Sequence, residues 1–427
     1  MGRNLIINYR SFASIGGIEV YVVELIDFMI NHGVHVIWLK EEDSEIHDSF
    51  KNILLDRRIE IVPVSNNLLL WFRFGKFQLN PTDENVMLSF IVMSKLKGES
   101  IVRQFKECNV KSIYAVPDTK GLAYYIETNF SGIFRKIVYE LMADVHNRWQ
   151  MNNQLLFFAH KQVDAMAETY KININNGHLK VLKAIKGIPN LDIAHLQNKC
   201  RREKFNIITI GRLDFPHKGY ILGLVKSFNR LKKKYPQLTL TIIGDGHSRN
   251  DLEKEISTYD DNVRADIRLL GAIPSDKLPL YVSDSHLNIS VAAGVGVGAK
   301  CGVISIPARN YCTGECEVYG FLPENRLMTV ATTPGNLVDP YIEKVINMSD
   351  DEFYRMSVES YKSYKDNEEV DPWFVFNATQ DYRNYILPKF KLYILIMINY
   401  LMKVKYFLTF EGFNRREIIK RFFKFSR

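Results

Sequence analysis

One stretch in the middle of the chain, residues 205–219, constrains the fold more than any other. It has the sequence FNIITIGRLDFPHKG, in which an apolar β-branched run ends in a glycine and a short polar loop follows. The apolar periodicity at 220–234 then predicts a helix, and LTLTII at 238–243 predicts a second buried strand. A strand, a helix and a strand in this order predict a βαβ unit of a parallel sheet, and therefore an α/β fold.

The loop inside this unit indicates a phosphate site. It carries Gly211, Arg212 and Lys218 directly before the predicted helix. A helix N-terminus offers unpaired N–H groups and a partial positive charge, and the two cations add full charges that suit phosphate oxygens. The alternative is a βα loop with two solvated cations. We favour the phosphate site because the second strand completes the βαβ unit.

The first forty residues predict a similar unit. A strand at 4–8 leads into a loop that ends in Ser-Ile-Gly-Gly, a helix at 18–31 follows, and a second strand lies at 34–39. The glycine turn therefore lies at the carboxyl edge of a parallel sheet, where open α/β sheets place ligands. The turn lacks a G-x-G-x-x-G fingerprint, so a dinucleotide is not the first choice. Glu19, in the first helical turn, is interpreted as a surface residue that stabilises the helix dipole rather than as a catalyst.

These segments resemble a known family. GRLDFPHKG at 211–219, followed by TIIGDG at 241–246, is similar to the donor half of retaining nucleotide-sugar glycosyltransferases of the family-4 type. That family has two Rossmann-like α/β domains that face each other across a cleft, the GT-B fold. SIGGIEVY at 14–21 resembles the same family.

The resemblance implies roles for individual residues. Arg212 and Lys218 are expected to contact the diphosphate of a nucleotide diphosphate-sugar, and neither a metal nor a further cofactor is then required. The glycines that the resemblance places at the cleft in these segments are Gly16, Gly17 and Gly211. For the pair at 16–17, the alternative is a turn that merely closes the helix on the strand.

A third glycine-rich segment, residues 291–307, contains glycines at alternating positions, which allow a ligand to approach the backbone closely. They are Gly294, Gly296 and Gly298. In the family, two glutamates near this loop bind ribose and the donor sugar. This chain departs from that pattern, because one alignment puts Val297 at the second glutamate's place and another puts Ala293 at the first.

Two carboxylates farther along the chain are candidate replacements for the missing glutamates. Glu315 and Glu317 follow the last strand predicted in this half of the chain. We favour Glu317 as a catalytic carboxylate because the neighbouring Tyr319-Gly320 turn can fix it. The alternative is an ordinary loop carboxylate.

Residues 41–190 are less informative. Strands are predicted at 59–64, 85–93 and 112–116, and helices around 134–142 and 154–170. Three polar residues here are not predicted to be catalysts, because an aspartate in such a loop is more often a turn residue and a lone histidine beside aromatic residues is more often packed or on the surface. They are Asp118, His146 and His160.

The domain organisation follows from these units. A chain of 427 residues is long enough for two domains. Residues 1–195 are predicted to form an acceptor-side Rossmann-like domain, and 205–370 the Rossmann-like donor domain. The polar run at 197–204 is the linker. Residues 371–427 are predicted to contain a returning helix and a basic tail that associates with the membrane.

The tail holds the net charge of the chain. Residues 385–427 contain ten Lys and Arg against two Glu, which equals the +8 of the whole chain. The apolar run at 392–402 has 11 residues, whereas a spanning helix needs about 20. The tail therefore predicts an interfacial helix on an anionic membrane surface. The alternative is a helix packed on the body or on a partner chain, and no motif accompanies the charge to suggest nucleic acid.

The resemblance implies a retaining, hexosyltransferase-type enzyme. It would use a nucleotide diphosphate-sugar and a lipid-linked or lipopolysaccharide saccharide acceptor, in bacterial surface polysaccharide (O-antigen, capsule or lipopolysaccharide) biosynthesis. Five scattered cysteines and no visible secretory signal favour a cytoplasmic protein, peripheral at the inner face of the cell membrane. The first alternative is a catalytically degenerate scaffold subunit of the same fold. A nucleotide-sugar epimerase of similar fold fits less well.

Overall fold

Two parallel β-sheets, one in each half of the chain, organise the protein, whose structure is a computed structural model. The structure describes residues 2–398, apart from residues 10–11, 14, 43, 65–76, 91, 104, 106–107, 117–125, 127–129, 159, 175–179, 186, 200–203, 313, 326–333, 366–369 and 380–385.

The first sheet has six strands, all paired in parallel, in the order β3-β2-β1-β4-β5-β6. Except in β3 at the sheet edge, their interiors are almost continuously buried, because helices cover both faces of a parallel sheet. The strands are β1 Arg3–Asn8, β2 His35–Glu41, β3 Ile59–Val64, β4 Glu84–Ser89, β5 Lys111–Val116 and β6 Leu155–Phe157.

The helices of the first half pack on this sheet. In the first of them, Val22, Leu25, Ile26 and Met29 recur at helical spacing and are fully buried. The helices are α1 Gly17–Asn31, α2 Asp48–Leu54, α3 Val92–Val102, α4 Gly132–Met151, α5 His160–Tyr170 and α6 Ile193–Lys199. The helix predicted at 154–170 is wrong in its first turn, because β6 pairs there with β5 before α5 begins.

The second sheet has five parallel strands in the order β11-β10-β7-β8-β9. A short antiparallel pair, β12 with β13, lies beside it. The strands are β7 Phe205–Ile210, β8 Leu238–Ile243, β9 Ile267–Gly271, β10 Leu287–Ser290, β11 Ile304–Pro307, β12 Glu317–Val318 and β13 Asn336–Leu337. The helices are α7 Tyr220–Lys232, α8 Arg249–Ser257, α9 Asp261–Arg264, α10 Leu278–Val282, α11 Ala293–Lys300, α12 Leu322–Asn325, α13 Asp339–Ile346, α14 Asp350–Lys365 and α15 Phe374–Asn377.

The two sheets share one topology. In each, the first strand of the unit lies inside the sheet, and the strand order reverses beside it, at β1 and at β7. This is the Rossmann-like arrangement, and the prediction of two such α/β domains is confirmed. The reversal leaves a crevice at the carboxyl ends of the strands, so it fixes where each domain can hold a ligand.

After the second sheet, the chain returns to the first domain. Phe374, Val375 and Phe376 of α15 are buried in the core of the first sheet. The segment 389–398 is helical and lies against α4, where Leu392 is buried in the same cluster as Trp149. The N-terminal part of the apolar run therefore packs on the body, and residues 399–427 lie outside the described residues. Among the helices that the structure describes, none combines the length and the apolar character needed to span a bilayer.

Gly223 sets how closely α7 packs against the chain before β12. A Cβ atom at Gly223 would lie 2.2 Å from the backbone N of Cys316 and 2.3 Å from the backbone C of Glu315. We expect Gly223→Ala to lower the free energy of unfolding by about 1–3 kcal/mol, since backbone atoms must move. Urea denaturation measures the change. Gly314→Ala, with nothing within 4 Å of the added Cβ, should change it by less than about 0.5 kcal/mol. Equal losses in both variants would contradict the prediction.

Candidate functional site

A cleft of about 1130 Å³ lies between the two domains. It is lined by the loops that follow β1, β7, β8 and β10, which are carboxyl ends of parallel strands. The two domains approach each other closely here, because a Cβ atom at Gly17 would lie 3.0 Å from the Cβ of Ala293. The cleft is therefore built from the crevices of both sheets, at the points that their strand orders define.

The N-terminus of α11 forms one wall of the cleft. Ala292, Ala293 and Gly294 all line it, and Ala292 has a positive φ of 49°. Gly294 permits this turn to lie against the end of β7, since a Cβ atom there would be 2.4 Å from the carbonyl oxygen of Ile210. The dipole of a helix N-terminus favours an anion at this wall, and the N–H groups of Gly294 and Val295 donate to the carbonyl oxygens of Val291 and Ala292.

The structure brings Arg212 and Lys218 to the same cleft. The Nη1 atom of Arg212 lies 3.9 Å from Oε1 of Glu19, and its Nε lies 3.7 Å from Oδ2 of Asp214. Lys218 donates from Nζ to Oδ1 of Asn310 at 3.4 Å. Two cations and the N-terminus of α11 thus face one space. The sequence predicts this role for the N-terminus of α7 instead, but the first residues of α7, from Tyr220, are not among the described residues that line the cleft. The contact of the two cations with a diphosphate stays a prediction.

The imidazole of His217 is buried near Lys218 and Arg212. Burial, with the charges of Lys218 and Arg212 added, lowers the pKa of His217 to about 2. Its imidazole is therefore neutral at pH 7 and adds no positive charge of its own. Its carbonyl oxygen accepts a hydrogen bond from the N–H of Tyr311, and the two rings lie 5.0 Å apart between centroids.

The predicted glycines divide into two groups. Five of them line the cleft: Gly16, Gly17, Gly211, Gly294 and Gly296. Gly298 is not among the lining residues, and a Cβ atom there would lie 2.3 Å from Nδ2 of Asn288, on the side of the sheet. Gly296 also has a packing role, since a Cβ atom would lie 2.2 Å from the Tyr364 ring. The structure thus brings five of the six glycines together.

Glu317 is not among the described residues that line the cleft. Both of its carboxylate oxygens accept from Nη1 of Arg309 at 2.8 Å, and Oε2 also accepts from the N–H of Gly335 at 2.8 Å. Glu315 also contacts an arginine, Arg230, at 2.9 Å. The Glu317 carboxylate therefore does not lie with the other predicted site residues. Arg309 and Gly335 hold it beside the β12–β13 pair.

The places of the family's glutamates are apolar in the structure as in the sequence. Ala293 and Val297 both line the cleft, and neither offers a hydrogen-bond acceptor in its side chain. Among the described residues that line the cleft, the most buried carboxylate comes from the opposite domain and is Glu19.

Sequence reasoning misplaced Glu19. The prediction of a surface residue is wrong, because Glu19 is only 5% exposed and accepts a hydrogen bond from the Tyr9 hydroxyl at 2.5 Å. The available signal was its position two residues after a glycine pair at the carboxyl edge of the sheet. Local residue patterns do not predict that Tyr9 and Arg212 lie beside its carboxylate.

Of the three polar residues that the sequence analysis weighed in the first domain, the structure describes the side chain of His146, which does not line the cleft. His146 is buried in α4, its Nδ1 lies 2.8 Å from the carbonyl oxygen of Met142, and burial with the charge of Lys95 lowers its pKa to about 3. Asp118 and the side chain of His160 lie outside the described residues. In the part of the chain that the structure describes, no three His, Cys, Asp or Glu side chains are grouped to hold a metal ion.

Comparisons with known proteins agree with this geometry. Residues 193–292, which include the βαβ unit and β9, match the family described as glycosyl transferases group 1. By sequence, no curated protein is a significant match to the chain. Sucrose-phosphate synthase from Thermosynechococcus elongatus is 14% identical, with 89% of this chain and 98% of that chain covered and a TM-score of 0.60. The chain has the GT-B fold.

Two further solved structures share this GT-B architecture. TarM of S. aureus is 9% identical, with 88% of this chain and 99% of that chain covered and a TM-score of 0.56. WaaG, a glycosyltransferase involved in lipopolysaccharide biosynthesis, is 13% identical, with coverage of 88% and 98% and a TM-score of 0.54. At these identities the likeness shows the fold. Together with the family match, it supports a glycosyltransferase of the GT-B type.

The contacts of Glu317 predict a structural role for this residue. Partial burial acts to raise the pKa of Glu317, but the hydrogen bonds from Gly335 and Arg309 outweigh it and hold the pKa below its usual value. We expect Glu317→Gln to lower the free energy of unfolding by about 1–2 kcal/mol at pH 7. Because the folded pKa is lowered, this contribution is present above the unfolded glutamate pKa of about 4.3 and is lost as the pH falls below it.

Urea denaturation of wild type and Glu317→Gln at pH 7 and at pH 3 measures this difference. Glu315→Gln is the matched control, since its carboxylate pairs with Arg230 but is 46% exposed, so its loss should be smaller. A Glu317→Gln difference that did not shrink at pH 3 would refute the role of the charged carboxylate.

Proposed function

We propose that the protein transfers a sugar from a nucleotide diphosphate-sugar that binds in the interdomain cleft. One observation carries the proposal: Arg212, Lys218 and the N-terminus of α11 face the same space, at the crevice of the second sheet. A diphosphate is the part of such a donor that needs several positive charges and N–H donors at once. In the GT-B neighbours, the TarM structure holds UDP, which agrees with a nucleotide in a cleft of this fold.

The proposed chemistry rests on charge stabilisation. When the bond between the sugar and the diphosphate breaks, negative charge grows on the diphosphate oxygen. Arg212 and Lys218, already in place, would stabilise that charge without reorganisation, and this effect is commonly a large part of catalysis. These two side chains would do this without a metal or a further cofactor. The resemblance to family-4 enzymes adds the proposal that the anomeric configuration is retained.

We further propose that the acceptor is a membrane-associated saccharide, lipid-linked or part of a lipopolysaccharide. Two packed helical segments, α4 and 389–398, expose large apolar side chains. These side chains are Ile133 (71% exposed), Phe134 (68%), Phe390 (77%) and Met397 (51%). The chain then continues into residues 399–427, which contain eight Lys and Arg against two Glu. Apolar and aromatic side chains next to a basic segment suit an anionic bilayer surface.

The neighbours agree with a bacterial cell-surface substrate. WaaG is described as acting in lipopolysaccharide biosynthesis, and the TarM structure contains a GlcNAc-glycerol ligand. The protein would accordingly act in the cytoplasm, at the inner face of the cell membrane, in surface polysaccharide biosynthesis. Assays with the sugar derivatives of each nucleotide would identify the donor sugar and the linkage.

A second candidate function is a catalytically degenerate scaffold subunit at the membrane. One observation favours it: the cleft carries Ala293 and Val297 where the resembled family carries carboxylates. The positions of Arg212 and Lys218 favour the enzyme, because a scaffold needs neither cation in the cleft. Binding of a nucleotide that depends on these two residues distinguishes the two functions.

Calorimetric titration with UDP, GDP and ADP tests the donor site. We expect one of them to bind, with an affinity at least about tenfold lower in Arg212→Ala/Lys218→Ala, because two charge-assisted contacts are lost. Chelation with EDTA should leave the affinity unchanged. Arg309→Ala, which removes a cation of the same domain outside the cleft, is the control. Absence of binding by all three nucleotides would refute the donor site and favour the scaffold.

Sedimentation with phospholipid vesicles tests the membrane proposal. The full chain should bind vesicles that contain phosphatidylglycerol and leave neutral phosphatidylcholine vesicles unbound. Removal of residues 399–427 should weaken the binding by more than about tenfold, since each basic residue near such a surface contributes about 1 kcal/mol. Phe134→Ser/Phe390→Ser should also weaken it, whereas Leu280→Ser, at a leucine 77% exposed on the second domain, should not. Equal binding to neutral vesicles would contradict the charge-based surface.

A further inference from the structure

Glu19 is a buried charge in the cleft that the proposed function does not use. It lies in the first turn of α1, lines the cleft, and exposes 6% of its side chain. Burial of a carboxylate is costly unless partners stabilise its charge. Its contacts therefore indicate what this residue does.

The first domain holds the Glu19 carboxylate rigidly. The Tyr9 hydroxyl donates to Oε1 at 2.5 Å, and the Tyr9 ring is itself fixed between Phe12 and Phe90, with centroids 5.1 and 5.6 Å away. The position of Glu19 in the first turn of α1 adds the favourable interaction of an anion with a helix N-terminus. These partners keep the carboxylate stable whether or not a cation from the other domain is beside it.

The second domain supplies that cation. Nη1 of Arg212 lies 3.9 Å from Oε1 of Glu19, across the gap at which Gly17 and Ala293 meet. The distance is too long for a hydrogen bond, so the attraction is electrostatic. Asp214, in the domain of Arg212, lies 3.7 Å from the other side of the guanidinium. The guanidinium is therefore attracted from both domains, and neither carboxylate has the bidentate geometry that holds an arginine firmly.

We infer that Glu19 attracts Arg212 across the cleft and competes with the donor diphosphate for it. The inference rests on the proposed donor site. A diphosphate carries more charge than a carboxylate and can accept two parallel hydrogen bonds from the guanidinium, so it displaces Glu19 when it enters. Once the product diphosphate dissociates, Glu19 attracts Arg212 back across the cleft. The residue thus weakens nucleotide binding and couples it to the contact between the domains.

Calorimetric titration of Glu19→Gln with UDP, GDP and ADP tests this inference. The glutamine keeps the shape of the side chain and still accepts from Tyr9, but it removes the charge. We expect the dissociation constant of the nucleotide that binds to fall about two- to fivefold, the range of a partly exposed ion pair. In the Arg212→Ala background, Glu19→Gln should have no effect, since the competition needs both residues.

Asp27→Asn is the matched control, because it removes one negative charge from the same helix, and Asp27 does not line the cleft. It should leave the affinity unchanged. Glu19→Asp keeps the charge but withdraws it by one methylene, so it should give a smaller gain in nucleotide affinity. It replaces the glutamine variant if that variant does not fold. The inference is overturned, and the donor site is not, if Glu19→Gln binds the nucleotide no more tightly than wild type. The same holds if the gain in affinity persists in the Arg212→Ala background. Absence of nucleotide binding by wild type overturns the donor site and the inference with it.

Discussion

The whole structure depends on the geometry of parallel sheets. Strands that run in one direction bring their carboxyl ends to one edge, and a strand order that reverses leaves a crevice at that edge. Both sheets of this chain have such an order, with β1 and β7 beside the reversal. The loops that carry Gly16 and Arg212 therefore open on the same cleft, although almost two hundred residues separate them in the sequence.

A second constraint is how closely the two domains approach. A Cβ atom at Gly17 would lie 3.0 Å from the Cβ of Ala293, so the glycine allows the two domains to approach closely here. Ala293 itself carries no hydrogen-bond acceptor in its side chain. The most buried carboxylate among the described residues that line the cleft comes instead from the first domain, at Glu19.

The C-terminal segment shows the same dependence on distant contacts. The N–H of Leu387 donates to Oε2 of Glu99 at 3.0 Å, and Oε1 of the same carboxylate accepts from the indole of Trp149 at 3.0 Å. Lys391 pairs with Asp144 of α4. These contacts place the helical segment 389–398 beside α4, and both segments carry exposed apolar side chains.

The sequence by itself determined the elements and the residues that act locally. The strands predicted at 205–210 and 238–243 have the bounds of β7 and β8, because a buried β-branched run between turn residues has few alternatives. Arg212 and Lys218 could be nominated for the same reason, since the turn that presents them is encoded within fifteen residues. Which surfaces face the cleft was decided only by tertiary structure.

Three positions show where prediction from the sequence fails. Glu19 is buried, with Tyr9 of its own domain and Arg212 of the second domain beside its carboxylate. Glu317 is turned from the cleft because Arg309 and Gly335 hold its carboxylate, and Gly298 faces Asn288 of β10. Each of these outcomes depends on a contact between residues that local periodicity does not relate. Residue type and spacing predict what a side chain can do, but its burial and its partners depend on how the domains pack.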